Sequence, residues 1–382
     1  MISMKLIEAF AFTAPIVSAL VCMVMMLMNA SRHKHNAAER KLRFFLALTY
    51  LVTSLGWLGL VFYSVSPRIF SYYFTVFLLT LMLDQVLIYR FVSIITSTGE
   101  RRSFNRLHLI VPLFFTAVSV VGDFTVPVEV QTTLIYSGES SGPGFWFRMM
   151  YILTTVIFIV YNTLYPLLNL RNIRRYRQFV VNYSSDAYHT SLGWLATVQI
   201  LILITVPLPF AALLTGVPSV VFGYFAWLGA LPYFVNYQIL CYNLLNDNYL
   251  VIPPEDVAED AAEVTGEDAG GKSSALDRKY FERYLRDCKP YLDPKLRITD
   301  MAEELKTNRT YLSGFINKEY GMNFSRLINR LRLQELDRLR LSVRYSGREN
   351  MELVLKAGFR NYRNYLRVKT EEDKMAVLKV FE

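Results

Sequence analysis

The sequence predicts an all-α protein in which a seven-helix transmembrane bundle precedes a cytoplasmic all-α domain with two helix-turn-helix units. Seven apolar stretches of roughly 20 residues, the length needed to cross a bilayer, recur in residues 1–245. The charge then changes abruptly. Residues 1–245 carry a net charge of +8, residues 246–276 carry −7 and residues 277–382 carry +8. Three regions with different physical properties are therefore expected.

The first region, residues 1–245, is predicted to be a transmembrane domain. Its apolar stretches lie at about residues 7–30, 44–66, 70–96, 107–127, 147–170, 191–214 and 217–245. The first stretch has the position of a signal peptide, but positive charges such as Arg32 and Arg43 follow it instead of preceding it. This order, and the length of the stretch, favour a retained span whose N-terminus lies outside.

The charges of the loops predict the orientation of the bundle. With the N-terminus outside, the connections at 31–43, 97–106 and 171–190 carry 12 Lys and Arg residues inside, against three outside. Loops rich in Lys and Arg remain in the cytoplasm. An odd number of spans then places the C-terminal region in the cytoplasm. We therefore expect a multi-pass protein of a bacterial cytoplasmic (inner) membrane.

The predicted bundle carries no recognisable catalytic motif. It contains no HExxH, GxSxG or Gly-rich phosphate loop, and the histidines are dispersed. No enzyme activity, metal site or cofactor is therefore predicted. Polar residues within lipid depth are a candidate signal site, because an intramembrane carboxylate is costly. The alternative is that they form hydrogen bonds that fix helix packing. These residues are Asp84, Gln85, Gln199 and Asn236.

Residues 246–275 are predicted to be an acidic, flexible linker. The segment is rich in Ala, Gly, Glu and Asp and has little apolar surface to bury. The simplest interpretation is a solvated spacer. The alternative is that its eight acidic residues compete with nucleic acid for the basic region that follows.

Residues 299–321 predict two short helices joined by a tight turn. Thr299 is a suitable N-cap for a helix from Asp300 to Leu305, and Asn308 is a suitable N-cap for a helix from Arg309 to Glu319. The second helix turns Leu312, Phe315 and Ile316 inward, and Gly321 ends it. A polar front on an apolar back is the arrangement of a recognition helix that enters the major groove. The candidate DNA contacts of this first unit are Asn308, Arg309, Thr310, Ser313 and Asn317.

A long helix and a second helix pair follow. The long helix is predicted from about Phe324 to Leu341, and the pair from Met351 to Lys356 and from about Arg360 onward. The second pair has a basic side that is suited to phosphate and base contacts. Its candidate DNA contacts are Arg360, Asn361, Arg363 and Arg367.

The C-terminal region, 276–382, resembles the AraC/XylS-type DNA-binding domain. The resemblance rests on "YLDPKLRITDMAEELKTNRTYLSGFINKEYGMNF", "INRLRLQEL" and "KAGFRNY". Arg332 falls where the family usually has Arg in the linking helix, and Gly358 marks the turn of the second unit. The resemblance implies two helix-turn-helix units joined by a long helix, each placing a helix in a major groove, and a role in transcription regulation.

The second unit, about residues 350–382, departs from the family pattern and is predicted to be degenerate. Val354 replaces a small Ala at the helix crossing, and Lys369 falls where a buried Phe is expected. The alternative to a second DNA-binding unit is therefore a helical cap on the first unit.

Together these features predict a membrane-bound, sequence-specific DNA-binding transcriptional regulator whose transmembrane domain senses a membrane or external signal. The predicted partners are DNA, membrane lipid, an unidentified signal ligand or membrane protein, and a second copy of the chain in a homodimer. The alternative is a membrane receptor or scaffold whose degenerate helix-turn-helix domain binds a protein partner. A transporter or intramembrane enzyme with a regulatory tail would rest on Asp84 and the other polar span residues alone.

Overall fold

The computed structural model describes residues 2–32, 37–97, 105–137, 144–187, 190–206, 219–252, 276–345 and 347–380. Within these ranges the regular secondary structure is helical, which confirms the predicted all-α class. The chain divides into two compact units. Unit 1 comprises Met1–Thr96, Arg102–Ile173 and Gly193–Asn248, and unit 2 comprises Ser97–Arg101, Arg174–Leu192 and Tyr249–Glu382.

Long apolar helices form unit 1. In chain order they are α1 (Ile2–Arg32), α2 (Ala37–Val65), α3 (Pro67–Ile95), α4 (Leu107–Thr125), α5 (Val128–Ser137), α6 (Gly144–Tyr183), α7 (Gly193–Thr205) and α8 (Ser219–Leu245). The boundary between the units falls inside α6, whose residues from Arg174 onward belong to unit 2. The short helix α5 lies between two predicted spans and has no counterpart in the apolar pattern.

Five of the described helices are long and apolar enough to cross a membrane. The qualifying stretches are Ala11–Arg32, Glu39–Val65, Pro67–Ile95, Leu107–Thr125 and Arg148–Tyr183. This finding indicates a membrane protein, whereas the count of seven spans stays a prediction. Helix α7 is shorter, and residues 207–214 of the predicted sixth span lie outside the described part of the chain.

Many large apolar side chains of unit 1 point away from its interior. Phe124 is 89% exposed and Leu231 is 69% exposed. Such a surface is unfavourable in water and suits contact with lipid. Inside, the helices pack closely, because a Cβ added at Gly59 would lie 2.4 Å from the ring of Phe77. Hydroxyl groups also link helices, since Thr75 Oγ1 on α3 donates to Asp123 Oδ2 on α4 at 2.6 Å.

Short polar helices form most of unit 2. They are α9 (Arg278–Asp287), α10 (Ile298–Glu304), α11 (Arg309–Tyr320), α12 (Phe324–Leu341), α13 (Asn350–Lys356) and α14 (Tyr362–Val380). The rings of Phe315 and Tyr320 pack on the ring of Phe281, so α9 covers the back of α11. The predicted linker, 246–275, lies outside the described residues from position 253 onward.

Two boundaries of unit 2 differ from those expected from the sequence. Helix α10 begins at Ile298, and its N-cap is Arg297 instead of Thr299. The reason is that Ile298 is fully buried, and the Arg297 N–H donates to Asp300 Oδ2 at 2.8 Å. Helix α14 begins at Tyr362, two residues later than predicted.

Candidate nucleic-acid interface

The first helix pair, α10 and α11, is held by a small apolar core and two caps. Met301, Leu312 and Ile316 are fully buried between the helices. Asn308 Oδ1 accepts the N–H of Tyr311 at 2.7 Å, which caps the start of α11. Gly321 ends α11 with a φ of +64°, a left-handed conformation that favours glycine. The local sequence therefore fixes both ends of α11.

The predicted contact residues of this pair differ in accessibility. Thr310 and Asn317 are exposed, and Ser313 is half-buried. Asn308 is engaged as the cap of α11. The guanidinium of Arg309 lies 4.4 Å from the centre of the Phe179 ring, a cation–π contact with the last turns of α6. The exposed polar surface of α11 therefore centres on Thr310 and Asn317.

Arg332, in the linking helix α12, is a buried structural residue. Its side chain is fully buried, and it donates to the backbone carbonyl of Tyr291 at 2.8 Å and to that of Asp293 at 2.6 Å. It also donates to Ser185 Oγ at 3.0 Å. Burial lowers the pKa of Arg332 to about 10, although the carboxylates of Asp186 and Asp293 oppose this shift. Arg332 remains a cation at neutral pH and holds α12 to the turn at Pro290–Leu292.

The second helix pair, α13 and α14, also has a packed core. Its buried core includes Val354, Phe359 and Tyr365, which pack against α12. The same cluster contains Leu336 and Leu339 of α12, and Leu353, Ala357 and Val368. The turn between the helices places Gly358 at a φ of +92°. A Cβ at this position would lie 2.4 Å from the carbonyl oxygen of Tyr291, so only glycine fits here. Lys369 is exposed, and Val368 is the buried residue at this point of α14.

The predicted contact residues of the second pair also differ in accessibility and in the partners that they bond to. Arg363 is exposed, while Asn361 Oδ1 accepts the N–H of Asn364 at 2.8 Å at the start of α14. Arg367 forms an ion pair of 3.8 Å with Glu371 one turn later. Arg360 Nη1 lies 3.4 Å from Asp186 Oδ2. Asp186 therefore engages one of the residues predicted to bind DNA.

Residues 184–187, after the end of α6, lie against the helix pairs of unit 2. The Ser185 N–H donates to the carbonyl of Leu296 at 3.0 Å, and Ser184 forms an isolated antiparallel bridge with Arg297. The second oxygen of Asp186 accepts Asn364 Nδ2 at 2.8 Å. These roles of Ser185, Asp186 and Asn364 are missed by sequence reasoning. The sequence offers one signal for Asp186, because residues 171–190 contain four arginines and Asp186 is their single acidic residue.

The four residues predicted to form an intramembrane signal site are all buried, but they do not all bond to one another. Gln85 Nε2 donates to Asp84 Oδ2 at 3.4 Å. Gln199 Oε1 accepts Asn169 Nδ2 at 2.9 Å, which links α7 to α6. Asn236 is 2% exposed, and neither of its amide atoms has a hydrogen-bond partner among the residues described. Asp84 and Gln85 therefore interact, whereas Gln199 bonds to a different neighbour.

The part of the chain that the structure describes contains no group of three or more His, Cys, Asp or Glu residues placed to hold a metal ion. Comparison of the chain with protein-family models, curated proteins and solved structures found no match.

Proposed function

We propose that this protein is a membrane-bound, sequence-specific transcriptional regulator. In this proposal seven spans sense a membrane or external signal, with the N-terminus outside, and an AraC-like domain in the cytoplasm binds DNA. The observation that carries the proposal is the arrangement of two helix pairs, α10–α11 and α13–α14, joined by α12. Each pair has a packed core and an exposed polar residue in the first half of its second helix, Thr310 in α11 and Arg363 in α14.

The chemistry of α11 supports base recognition. An asparagine side chain can form two hydrogen bonds with an adenine edge, and a threonine side chain offers both a hydroxyl and a methyl group. Asn317 and Thr310 present such groups on the exposed side of α11, while Leu312 and Ile316 hold its back. Cationic side chains such as Arg363 would add contacts to phosphate that do not depend on sequence.

Selection of DNA by the intact protein tests this proposal. The full chain in lipid nanodiscs would be incubated with a random library of 40-base-pair duplexes, and the retained duplexes would be sequenced. We expect an enriched motif, and binding that weakens steeply as the salt concentration rises, because Lys and Arg contacts release counterions from DNA.

A matched pair of substitutions then separates base recognition from general binding. Asn317→Ala should reduce the preference for the enriched motif about 5- to 150-fold, since one good base contact contributes about 1–3 kcal/mol. Binding to random DNA should change little. The control is Gln334→Ala, which removes an exposed amide from α12. Equal effects of the two substitutions would contradict a recognition role for α11.

The scaffold alternative makes the opposite prediction. If the domain binds a protein and not DNA, the nanodisc-embedded chain enriches no motif and retains no duplex even at low salt. That result would remove the regulator proposal.

A further inference from the structure

Residues 179–186, at and just after the end of α6, bond to side chains of the second helix pair that are proposed to contact DNA. Arg360 and Asn364 both bond to the carboxylate of Asp186, at 3.4 Å and 2.8 Å. Asp186 is only 4% exposed, so its carboxylate is almost fully enclosed. A cation and an amide N–H around a buried oxyanion are also the groups that bind a DNA phosphate.

The first helix pair is engaged by the same segment. The Phe179 ring covers the Arg309 guanidinium at the start of α11. Within unit 2, residues 179–186 therefore contact one predicted DNA-binding arginine in each helix pair. An N–H group that donates to the Asp186 carboxylate is not available to a phosphate at the same time.

We infer that residues 179–186 act as an internal competitor of DNA, in which the Asp186 carboxylate takes the place of a phosphate on Arg360 and Asn364. This inference rests on the proposed function and concerns how DNA binding is regulated. DNA binding by the second helix pair then requires Asp186 to leave. Asp186 follows the last residue of α6, Tyr183, by three residues, so a displacement of this helix end carries the carboxylate with it.

The contacts around Ser185 allow such a release. Ser185 accepts Asn329 Nδ2 at 3.3 Å through its carbonyl and accepts Arg332 through its hydroxyl. When the segment leaves, Arg332 keeps its two backbone carbonyl partners, Tyr291 and Asp293. The buried guanidinium is therefore not left without acceptors.

Removal of one charge tests the inference. The probe is a fluorescent, mixed-sequence 30-base-pair duplex, and its affinity for the full chain in nanodiscs is measured by anisotropy at fixed salt. Asp186→Asn keeps the shape of the side chain and an acceptor for Asn364 but loses the charge that holds Arg360. We expect about tenfold tighter binding, the effect of one charge-assisted hydrogen bond.

The matched control is Asp373→Asn, which removes an exposed acid of α14. It should change the affinity by about twofold at most, since an exposed charge acts through screened electrostatics. If the wild-type chain binds DNA and Asp186→Asn binds it equally or more weakly, the segment is a fixed support and the inference is overturned. If neither chain binds DNA at any salt concentration, the proposed function itself fails.

A second variant tests the inference without relying on the stability of the Asp186 variant. Phe179→Leu keeps an apolar side chain near the end of α6 but removes the ring over the Arg309 guanidinium. Binding of the same duplex should tighten about two- to fivefold, because the competing cation–π contact is lost. Unchanged or weaker binding by this variant would overturn the inference.

Discussion

Two glycines in the helix pairs of unit 2 have opposite expected effects on stability. A Cβ at Gly358 would collide with the backbone of Tyr291 and Leu292, and its φ of +92° is a conformation that L side chains rarely adopt. Gly314 lies inside α11 with nothing within 4 Å of an added Cβ. The residue type alone therefore does not determine what a substitution by alanine does.

We expect Gly358→Ala to destabilise unit 2 by more than about 1–3 kcal/mol, the range for backbone strain, because the collision adds to the strain. Gly314→Ala should stabilise α11 by roughly 0.5–1 kcal/mol, because glycine loses more backbone entropy in a helix than alanine does. Amide hydrogen exchange of the full chain over α11 and α14 measures both. Equal protection of α14 in Gly358→Ala and wild type would show that the turn between α13 and α14 is not built as described.

At the scale of elements, helices with a strong local signal were predicted well. Helix α12 has the predicted bounds, Phe324–Leu341, because Asn323 caps its start and its apolar face repeats with the helical period. Gly321 ends α11 as expected. The start of α10 was wrong by two residues because burial of Ile298, a tertiary effect, extends the helix.

The candidate interface was predictable only in part. The polar face of α11 follows from local periodicity, so Thr310 and Asn317 could be identified from the sequence. The partner of Arg360 could not, because Asp186 lies 174 residues earlier and no local pattern connects the two. The contact of Arg309 with Phe179 could not be predicted for the same reason, since Phe179 lies 130 residues before it.

The second helix pair can be tested as an element. Val354 is fully buried in the core of this pair, whereas its neighbour Leu355 is 46% exposed. Val354→Ala should cost about 1–2 kcal/mol, since each buried methylene contributes about 0.8 kcal/mol. Leu355→Ala should cost much less. Limited proteolysis of the full chain, read at cleavage sites within 350–380, compares them. The same rate of cleavage in both variants would indicate that the pair lacks a fixed core.

At the scale of the whole molecule, charge and hydropathy together predict on which side of the membrane the C-terminal region lies. A domain proposed to bind DNA must lie in the cytoplasm, and the excess of Lys and Arg in alternate loops predicts that side for the C-terminal region. Five described helices are long and apolar enough to span. Five and seven spans both place the C-terminus on the side opposite the N-terminus, so the region from 191 to 245 decides the count.

Thiol labelling of intact cells can determine that count. Gly216 lies between the predicted sixth and seventh spans, and in a seven-span chain it faces the outside. In a Cys288→Ser background, which lacks the exposed native cysteine, we expect Gly216→Cys and Arg68→Cys to react with a membrane-impermeant maleimide in intact cells, because both loops lie outside. Arg106→Cys should react only after the membrane is permeabilised, which makes it the inside control. If Gly216→Cys behaves like Arg106→Cys, the chain from 191 to 245 does not cross twice, and the bundle has five spans.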